Sequence, residues 1–125
     1  MTAPQGVPDI SPPLPWHRGA WQRFSEQLQQ QRLPHAILLA GARHTGLEHL
    51  ALALARLLLC ESPSGGLNCG QCHACDLSAS GSHGDFLWLA PEGSSRVIKI
   101  DQVREAVSFA YQTASFGAHS VIVLD

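Results

Sequence analysis

Four cysteines lie within sixteen residues near the middle of this 125-residue sequence, and the rest of the chain contains none. They follow the spacing C-x8-C-x2-C-x2-C, at Cys60, Cys69, Cys72 and Cys75. Two overlapping C-x-x-C pairs and a fourth thiolate can surround one tetrahedral ion, and thiolates are soft ligands that suit Zn²⁺. We therefore predict a structural zinc site with these four cysteines as ligands, because no ligand position is left open for catalysis.

Other interpretations of the cysteines remain open from the sequence alone. The thiols could be free core residues or a redox pair, and Cys60 could be a buried helix thiol while His73 or His83 supplies the fourth ligand. Structural disulfides are less expected, because the first thirty residues show no basic region followed by an apolar one and so no signal peptide. We expect a cytoplasmic location on that ground.

The remaining chain alternates short apolar runs with helical patterns, which predicts a parallel α/β sheet. The expected strands are 36–40, 86–90 and 120–124, each a continuous apolar run typical of a strand buried on both faces. Residues 61–84 are rich in Gly, Ser and Cys and predict an irregular insertion, so that a zinc module spans about 60–84.

Three helices are predicted, one before the first strand and one between each pair of successive strands. Apolar residues at Trp21, Phe24 and Leu28 indicate a surface helix over 17–32, and residues 46–60 form a helix apolar enough to be largely enclosed. Asp101 is the predicted N-cap of a third helix, whose buried face would carry Val103, Ala106, Val107 and Ala110. Residues 1–13 are rich in proline and predict a flexible, extended leader with little to bury, before a domain over 14–125.

A glycine loop joins the first predicted strand to the enclosed helix, in the position of a phosphate-binding P-loop. Gly41 and Gly46 have the separation of the pattern G-x-x-x-x-G-K-S/T, but Leu47 replaces the lysine and Glu48 replaces the hydroxyl residue. Leucine cannot neutralise phosphate charge, and a carboxylate repels it. We therefore expect no ATP at this degenerate loop; as an alternative, Thr45 and Glu48 also fit a capping box at the helix start.

The last predicted strand, SVIVL over 120–124, is followed by Asp125. A run of apolar residues that ends in an aspartate resembles a Walker B strand, whose acid holds Mg²⁺ in active P-loop enzymes. Alone, this pattern is weak, because an aspartate after a buried strand is common. Its position downstream of a P-loop-like turn gives it weight.

Composition excludes two classes of protein. A net charge of −2, with one lysine and scattered arginines, lacks the basic stripe of proteins that hold nucleic acid by bulk electrostatics. The longest apolar run, 50–60, contains Arg56 and is shorter than the ~20 residues that cross a bilayer. We expect no membrane association.

Taken together, these features resemble a known family. The segments that carry the resemblance are LPWH at 14–17, LPHAILLAG at 33–41, the cysteine cluster, HGDFLWLAPE at 83–92, IKIDQVREAV at 98–107 and SVIVLD at 120–125. Over about residues 12–125 the sequence resembles the δ′ subunits of bacterial DNA polymerase III clamp loaders, within the AAA+ proteins. The related γ/τ motor subunits share the zinc module but keep the P-loop lysine and threonine, which this chain lacks.

The resemblance implies a three-layer AAA+ fold, incomplete at the C-terminus, with an inserted four-cysteine zinc module. It also implies a subunit that does not hydrolyse ATP and acts as a scaffold beside the γ/τ ATPase subunits and the δ subunit. The complex would place the sliding clamp on primed DNA during replication, so the chain would be an enzyme component only by membership of the polymerase complex. The Ser-Arg-Cys motif, which supplies an arginine to a neighbouring ATP site in this family, does not occur in the 125 residues.

Two other functions compete with this hypothesis: an active P-loop ATPase of the γ/τ type and a zinc-ribbon module that binds nucleic acid. The first would need a basic residue at position 47, and the second would need basic and aromatic residues near the cysteines. Residues 61–84 contain no Lys, Arg, Phe, Tyr or Trp. We also expect that the 125 residues do not fold as a complete domain alone, because the resemblance implies one further strand between those at 36–40 and 120–124.

Overall fold

The structure is a computed structural model that describes residues 7–112 and 119–125; residues 1–6 of the predicted leader lie outside this part. A short 3₁₀ turn at Pro15–His17 precedes the first helix. The elements that follow are α1 (Arg18–Gln29), α2 (Leu47–Leu59), α3 (His73–Ser80), β1 (Phe86–Leu89), α4 (Ile100–Ala110) and β2 (Val121–Leu124). No helix in the described ranges has the length and apolar character needed to cross a membrane.

Strands β1 and β2 form a two-stranded parallel sheet, as the alternating pattern predicts. Phe86 pairs with Val121 and Leu89 with Leu124, and helix α4 makes the crossover that a parallel pair requires. Backbone hydrogen bonds continue the pairing at both ends, from Val121 N–H to Asp85 at 2.8 Å and from Asp125 N–H to Leu89 at 2.7 Å. Two of the three predicted strands are therefore confirmed within one residue of their predicted ends.

The predicted strand at 36–40 is wrong for this structure. The segment has no regular secondary structure, and Leu38 is 90% exposed. The reason is the lack of a neighbour: none of the described residues pairs with this segment, and a strand is stable only when adjacent backbone takes up its hydrogen bonds. Its apolar character alone does not make it a strand.

Helix α2 lies at the centre of the core and packs on two sides, which confirms the expectation of an enclosed helix. On one side Leu52, Ala55 and Leu59 pack with Phe86 and Trp88 of the sheet. On the other side Leu50, Ala53, Leu54 and Leu57 pack with Trp21 of α1. Phe24 and Leu28, also on α1, are half-buried against this cluster. The sheet and α1 thus cover opposite faces of α2.

The insertion at 61–84 is more regular than predicted. Residues His73–Ser80 form α3. Cys72 is the N-cap of this helix, and Gly81, in the left-handed region at φ +76°, is its C-cap. The sulfur of Cys72 accepts a hydrogen bond from the backbone N–H of Cys75 at 3.4 Å. The second C-x-x-C pair therefore also begins a helix, a role that composition does not reveal.

Helix α4 begins two residues earlier than predicted and is capped differently. Lys99, not Asp101, is the N-cap, and the Gln102 side chain accepts a hydrogen bond from the Lys99 N–H at 2.9 Å. Gln102 is buried and also donates to the Ala90 carbonyl at 2.7 Å, so a polar residue attaches this helix to the end of β1. The expected buried face is wrong, because Val103 and Val107 are 48% and 52% exposed.

Residues 7–13 have no regular secondary structure, with a bend at residues 9–10, and they bury part of their length. Ser11 is 3% exposed, and its N–H donates to the side-chain oxygen of Asn68 at 2.9 Å. The Pro12 carbonyl lies 2.8 Å from Nε2 of His49 on α2. This part of the predicted leader therefore packs against both α2 and the cysteine-containing insertion.

Candidate metal centre and phosphate-loop region

The four cysteine sulfurs lie within 4.8 Å of one another. Two of the separations, Cys60 Sγ to Cys72 Sγ and Cys69 Sγ to Cys75 Sγ, are both 3.9 Å. Zinc–sulfur bonds of about 2.3 Å in a tetrahedron place the sulfurs about 3.8 Å apart. The group therefore has the size that a tetrahedrally coordinated Zn²⁺ requires.

Three parts of the fold bring these cysteines together. Cys60 ends α2 in an extended conformation, with its N–H bonded to the Arg56 carbonyl at 3.0 Å. Cys69 lies in the loop that follows, while Cys72 caps α3 and Cys75 lies in its first turn. Cys60 and Cys75 are buried, whereas Cys69 and Cys72 are half-buried. The site thus joins the end of α2 to the start of α3.

Every sulfur of the cluster accepts at least one N–H hydrogen bond. The donors are Cys69 N to Cys60 (3.2 Å), Gln71 N and Cys72 N to Cys69 (3.4 and 3.3 Å), Cys75 N to Cys72 (3.4 Å), and Gly70 N and Asn68 Nδ2 to Cys75 (3.4 and 3.3 Å). Such donors stabilise thiolate over thiol, because only the thiolate is a strong acceptor. The loop backbone is therefore arranged for charged sulfur.

The protein alone does not hold all four sulfurs as thiolates. Burial raises the pKa of the Cys60 thiol to about 12 and also raises that of Cys72, whereas the N–H of Gln71 is the main cause that lowers the pKa of Cys69 to about 6. A bound cation would supply the missing charge compensation and displace the protons. The chemistry of this donor set therefore fits a divalent, sulfur-preferring metal.

The histidines considered as alternative ligands lie apart from this group. His73 is exposed on α3, and the Nδ1 atom of the buried His83 accepts the N–H of Asp85 at 3.0 Å. Among the residues that the structure describes, the group able to hold a metal consists of the four cysteines. The geometry favours Cys60 over either histidine as fourth ligand, and the ligand set stays a prediction.

Two polar residues beside the cluster were not identified from the sequence as site residues. Arg56 is 0% exposed and Asn68 is 2% exposed. The Arg56 guanidinium donates to the Cys75 carbonyl at 3.0 Å and to the Ser78 hydroxyl at 3.1 Å. One feature of the sequence could have identified this site: Arg56 is the one charged residue in the apolar run 50–60. A buried arginine needs several acceptors, so polar groups must lie around it.

Leucine side chains contact both glycines of the phosphate-loop region. Gly46, at φ +78°, is the N-cap of α2, and Leu14 contacts it closely enough to leave no space for a Cβ atom. The side chain of Leu47 lies over Gly41, 3.6 Å from where a Cβ atom on that glycine would be. The glycine loop thus leads into α2 as predicted, with a leucine contact at each of its glycines, but no strand precedes it in the described residues.

Two further predictions concern the capping box at the start of α2 and the acid at residue 125. The Thr45 hydroxyl donates to the Ala42 carbonyl at 2.7 Å, and no side chain caps α2, so the capping-box alternative is wrong. Trp16 also bonds the loop, from its Nε1 to the Thr45 carbonyl at 2.7 Å. Asp125 follows β2 and is exposed, and its Walker-B-like role stays a prediction.

Comparison with known proteins gives a consistent result. A relative from Pseudomonas aeruginosa, named DNA polymerase III subunit delta', is 39% identical over 111 residues, which cover 89% of this chain and 33% of the relative. The protein of the same name from Escherichia coli K12 is 34% identical over 86% of this chain and 32% of its own length. A DNA polymerase III subunit tau from Bacillus subtilis is 28% identical over 75% of this chain and 17% of the relative.

The chain spans about a third of the length of the delta' relatives that it matches. A family model described as DNA polymerase III, delta subunit, matches residues 16–125, which contain the cysteine cluster, the glycine loop and both strands. The chain therefore belongs to the DNA polymerase III delta subunit family.

Proposed function

We propose that this chain contributes to a non-motor scaffold subunit of the DNA polymerase III clamp loader. The delta' relatives support a role in loading the sliding clamp onto primed DNA during replication. The partners in this proposal are the γ/τ ATPase subunits and the δ subunit, and the clamp and DNA are contacted through the complex. Such a subunit would act in the cytoplasm.

The observation that carries the non-motor part of the proposal is the chemistry at the start of α2. Leu47 and Glu48 occupy the positions where a P-loop has a lysine for the β/γ-phosphates and a hydroxyl for Mg²⁺. A phosphate at this helix N-terminus would meet an apolar side chain and a negative charge, so its desolvation is uncompensated. The leucine contacts on Gly41 and Gly46 support the same conclusion.

The cysteine cluster supports a second part of the proposal, a structural Zn²⁺ at Cys60, Cys69, Cys72 and Cys75. A zinc ion there would supply four bonds that fix the end of α2 to the start of α3. The insertion has little apolar core of its own, and metal binding contributes directly to the folding free energy of such segments. The scaffold would thus gain rigidity next to its central helix.

The proposed absence of ATP binding is tested by calorimetry on the full-length protein that carries this sequence. We expect no saturable binding of Mg·ATP and no phosphate release above the buffer rate. The same result is expected after mixing with the other loader subunits, when substitutions have inactivated the ATP sites of those subunits. Saturable binding in the low micromolar range would overturn the non-motor assignment. The fold and the metal site would remain unaffected by that result.

One specific observation favours a second candidate, an active γ/τ-type ATPase: the similarity to a protein named subunit tau. The same calorimetric experiment separates the two functions, because a motor subunit must bind nucleotide. The zinc-ribbon alternative has no such support, since residues 61–84 contain no Lys, Arg, Phe, Tyr or Trp.

A further inference from the structure

The segment 7–13 passes directly over the backbone of the cysteine loop. Gly70, between Cys69 and Cys72, has φ +78°, and a Cβ atom there would lie 2.8 Å from Ile10 Cγ1 and 3.2 Å from the Asp9 carbonyl oxygen. Only glycine allows this approach, because any other residue would meet both the strained φ and the neighbouring chain. The segment 7–13 and the cysteine loop are thus in direct contact at Gly70.

Asn68 connects the same two parts through its side-chain amide. Its Oδ1 accepts the N–H of Ser11 at 2.9 Å, and its Nδ2 donates both to the Asp9 carbonyl at 2.8 Å and to the Cys75 sulfur at 3.3 Å. A metal-bound thiolate is a stronger acceptor than a neutral thiol and holds this amide in one orientation. In that orientation Oδ1 accepts from Ser11 and Nδ2 also donates to the Asp9 carbonyl.

Arg56 makes a second connection on the buried side. Its Nη1 donates to the Pro8 carbonyl and to the Ser11 hydroxyl, the latter at 2.7 Å, while its Nη2 donates to the Cys75 carbonyl. Arg56 thus joins the backbone of Cys75, a proposed ligand, directly to the backbone and a side chain of the segment.

We propose that Arg56, Asn68 and Gly70 couple metal binding at the four cysteines to docking of the segment 7–13. The inference rests on the proposed metal site. A metal that holds the four sulfurs fixes Cys75 and the loop around Gly70, and with them the hydrogen bonds of Asn68 and Arg56 to the segment, so the segment docks. When the metal leaves, the cysteine loop is no longer held in this geometry, these contacts weaken and the segment releases.

Coupling of this kind is reciprocal, which makes the proposal testable from both ends. If metal binding favours docking by a given factor, docking must favour metal binding by the same factor. A coupling of about tenfold is typical between two sites. Removal of the segment must then weaken zinc binding, although none of its residues is a proposed ligand.

The experiment uses the full-length protein and begins with its zinc content, which tests the metal site separately. The rate of cleavage at the Asp9–Ile10 bond, by a serine endopeptidase that cuts after acidic residues, is then measured with and without a zinc chelator. We expect chelation to accelerate this cut about tenfold. In a competition titration, deletion of residues 2–12 should weaken zinc binding by the same factor.

Matched glycine variants identify the path of the coupling. Gly70→Ala should speed the cut and weaken zinc binding, whereas Gly81→Ala, at φ +76° with nothing within 4 Å, should change neither rate nor affinity. Asn68→Ala and Arg56→Lys should behave like Gly70→Ala. A cut rate that is independent of zinc, in protein that does bind zinc, would overturn this inference and leave the metal site intact; protein without zinc would overturn both.

Discussion

Nη2 of Arg56 donates a hydrogen bond to the carbonyl oxygen of Cys75, 3.0 Å away, from inside the central helix to the start of the next one. This contact is one of several that satisfy a guanidinium with no exposed surface. It explains why the most apolar helix of the chain carries a single arginine: the side chain fills a polar space between α2, α3 and the segment 7–13.

We predict that Arg56→Met lowers the free energy of unfolding by about 2–4 kcal/mol, because it leaves several buried acceptors without donors. The measurement is a urea titration of the full-length protein at saturating zinc. Arg23→Met, at an exposed position of α1, is the matched control and should change the free energy by less than about 0.5 kcal/mol. Equal effects of the two substitutions would contradict the structural role of Arg56.

The cysteine cluster gives a second prediction. Purified protein should contain about one zinc per chain, and Cys72→Ser should remove most of it, because a hydroxyl is a poor ligand in a thiolate site. Ser80→Ala is the control on the same helix, since its hydroxyl donates only to the Leu77 carbonyl at 3.1 Å and lies outside the cluster. Full zinc occupancy in Cys60→Ser would instead assign the fourth position to His73 or His83.

A third prediction concerns the degenerate phosphate loop. The double substitution Leu47→Lys, Glu48→Thr restores the P-loop pattern, yet we expect no ATP hydrolysis from this subunit alone. Phosphoryl transfer also needs a residue that positions water and a cation that stabilises the transition state, and restoring the loop supplies neither. A phosphate-release assay checks this outcome, with the unsubstituted protein as baseline; turnover above that baseline would disprove it.

His83 gives a prediction on pH. Burial is the main cause that lowers its pKa below the ordinary 6.5, so the unfolded chain binds a proton more readily than the folded one. The free energy of unfolding is therefore at its full value above pH 6.5 and falls as the pH drops from 6.5 through the folded-state pKa. His83→Asn keeps an acceptor for the Asp85 N–H and should flatten this dependence, whereas His35→Asn, at an exposed position, should not.

Unfolding free energies measured between pH 5 and 8 test the His83 prediction, with zinc held constant so that the cysteine contribution is common to all variants. The difference between the native and His83→Asn curves isolates the histidine. A difference that stays constant with pH would show that His83 does not titrate between the two states.

Periodicity predicted the elements that have their partners within the described chain. Helix α2 and the stripe on α1 were predictable because their apolar residues join shared clusters, Trp21 and Leu54 in one and Leu52 and Trp88 in the other. The segment 36–40 has the same apolar composition as a strand but no strand beside it. Local composition does not carry that information, since sheet pairing depends on residues distant in sequence.

The cysteine cluster was predictable because its spacing is local, while the polar residues that contact it were not. Asn68 and Arg56 act through neighbours 57 and 48 positions away, at Ser11 and Pro8. The role of Gln102 as the buried residue of α4 was missed for a similar reason, because its acceptor is the Ala90 carbonyl beyond the end of β1. Polar residues that bond distant backbone leave no periodic pattern.

The unequal burial of the four sulfurs sets the direction from which the cluster can be attacked. Cys60 and Cys75 face the core, and Cys69 and Cys72 are reached from outside. An oxidant or a competing chelator would therefore engage the outer pair first, while the inner pair kept its contacts to α2 and α3. Loss of a metal from this site would therefore begin at the half-buried Cys69 and Cys72.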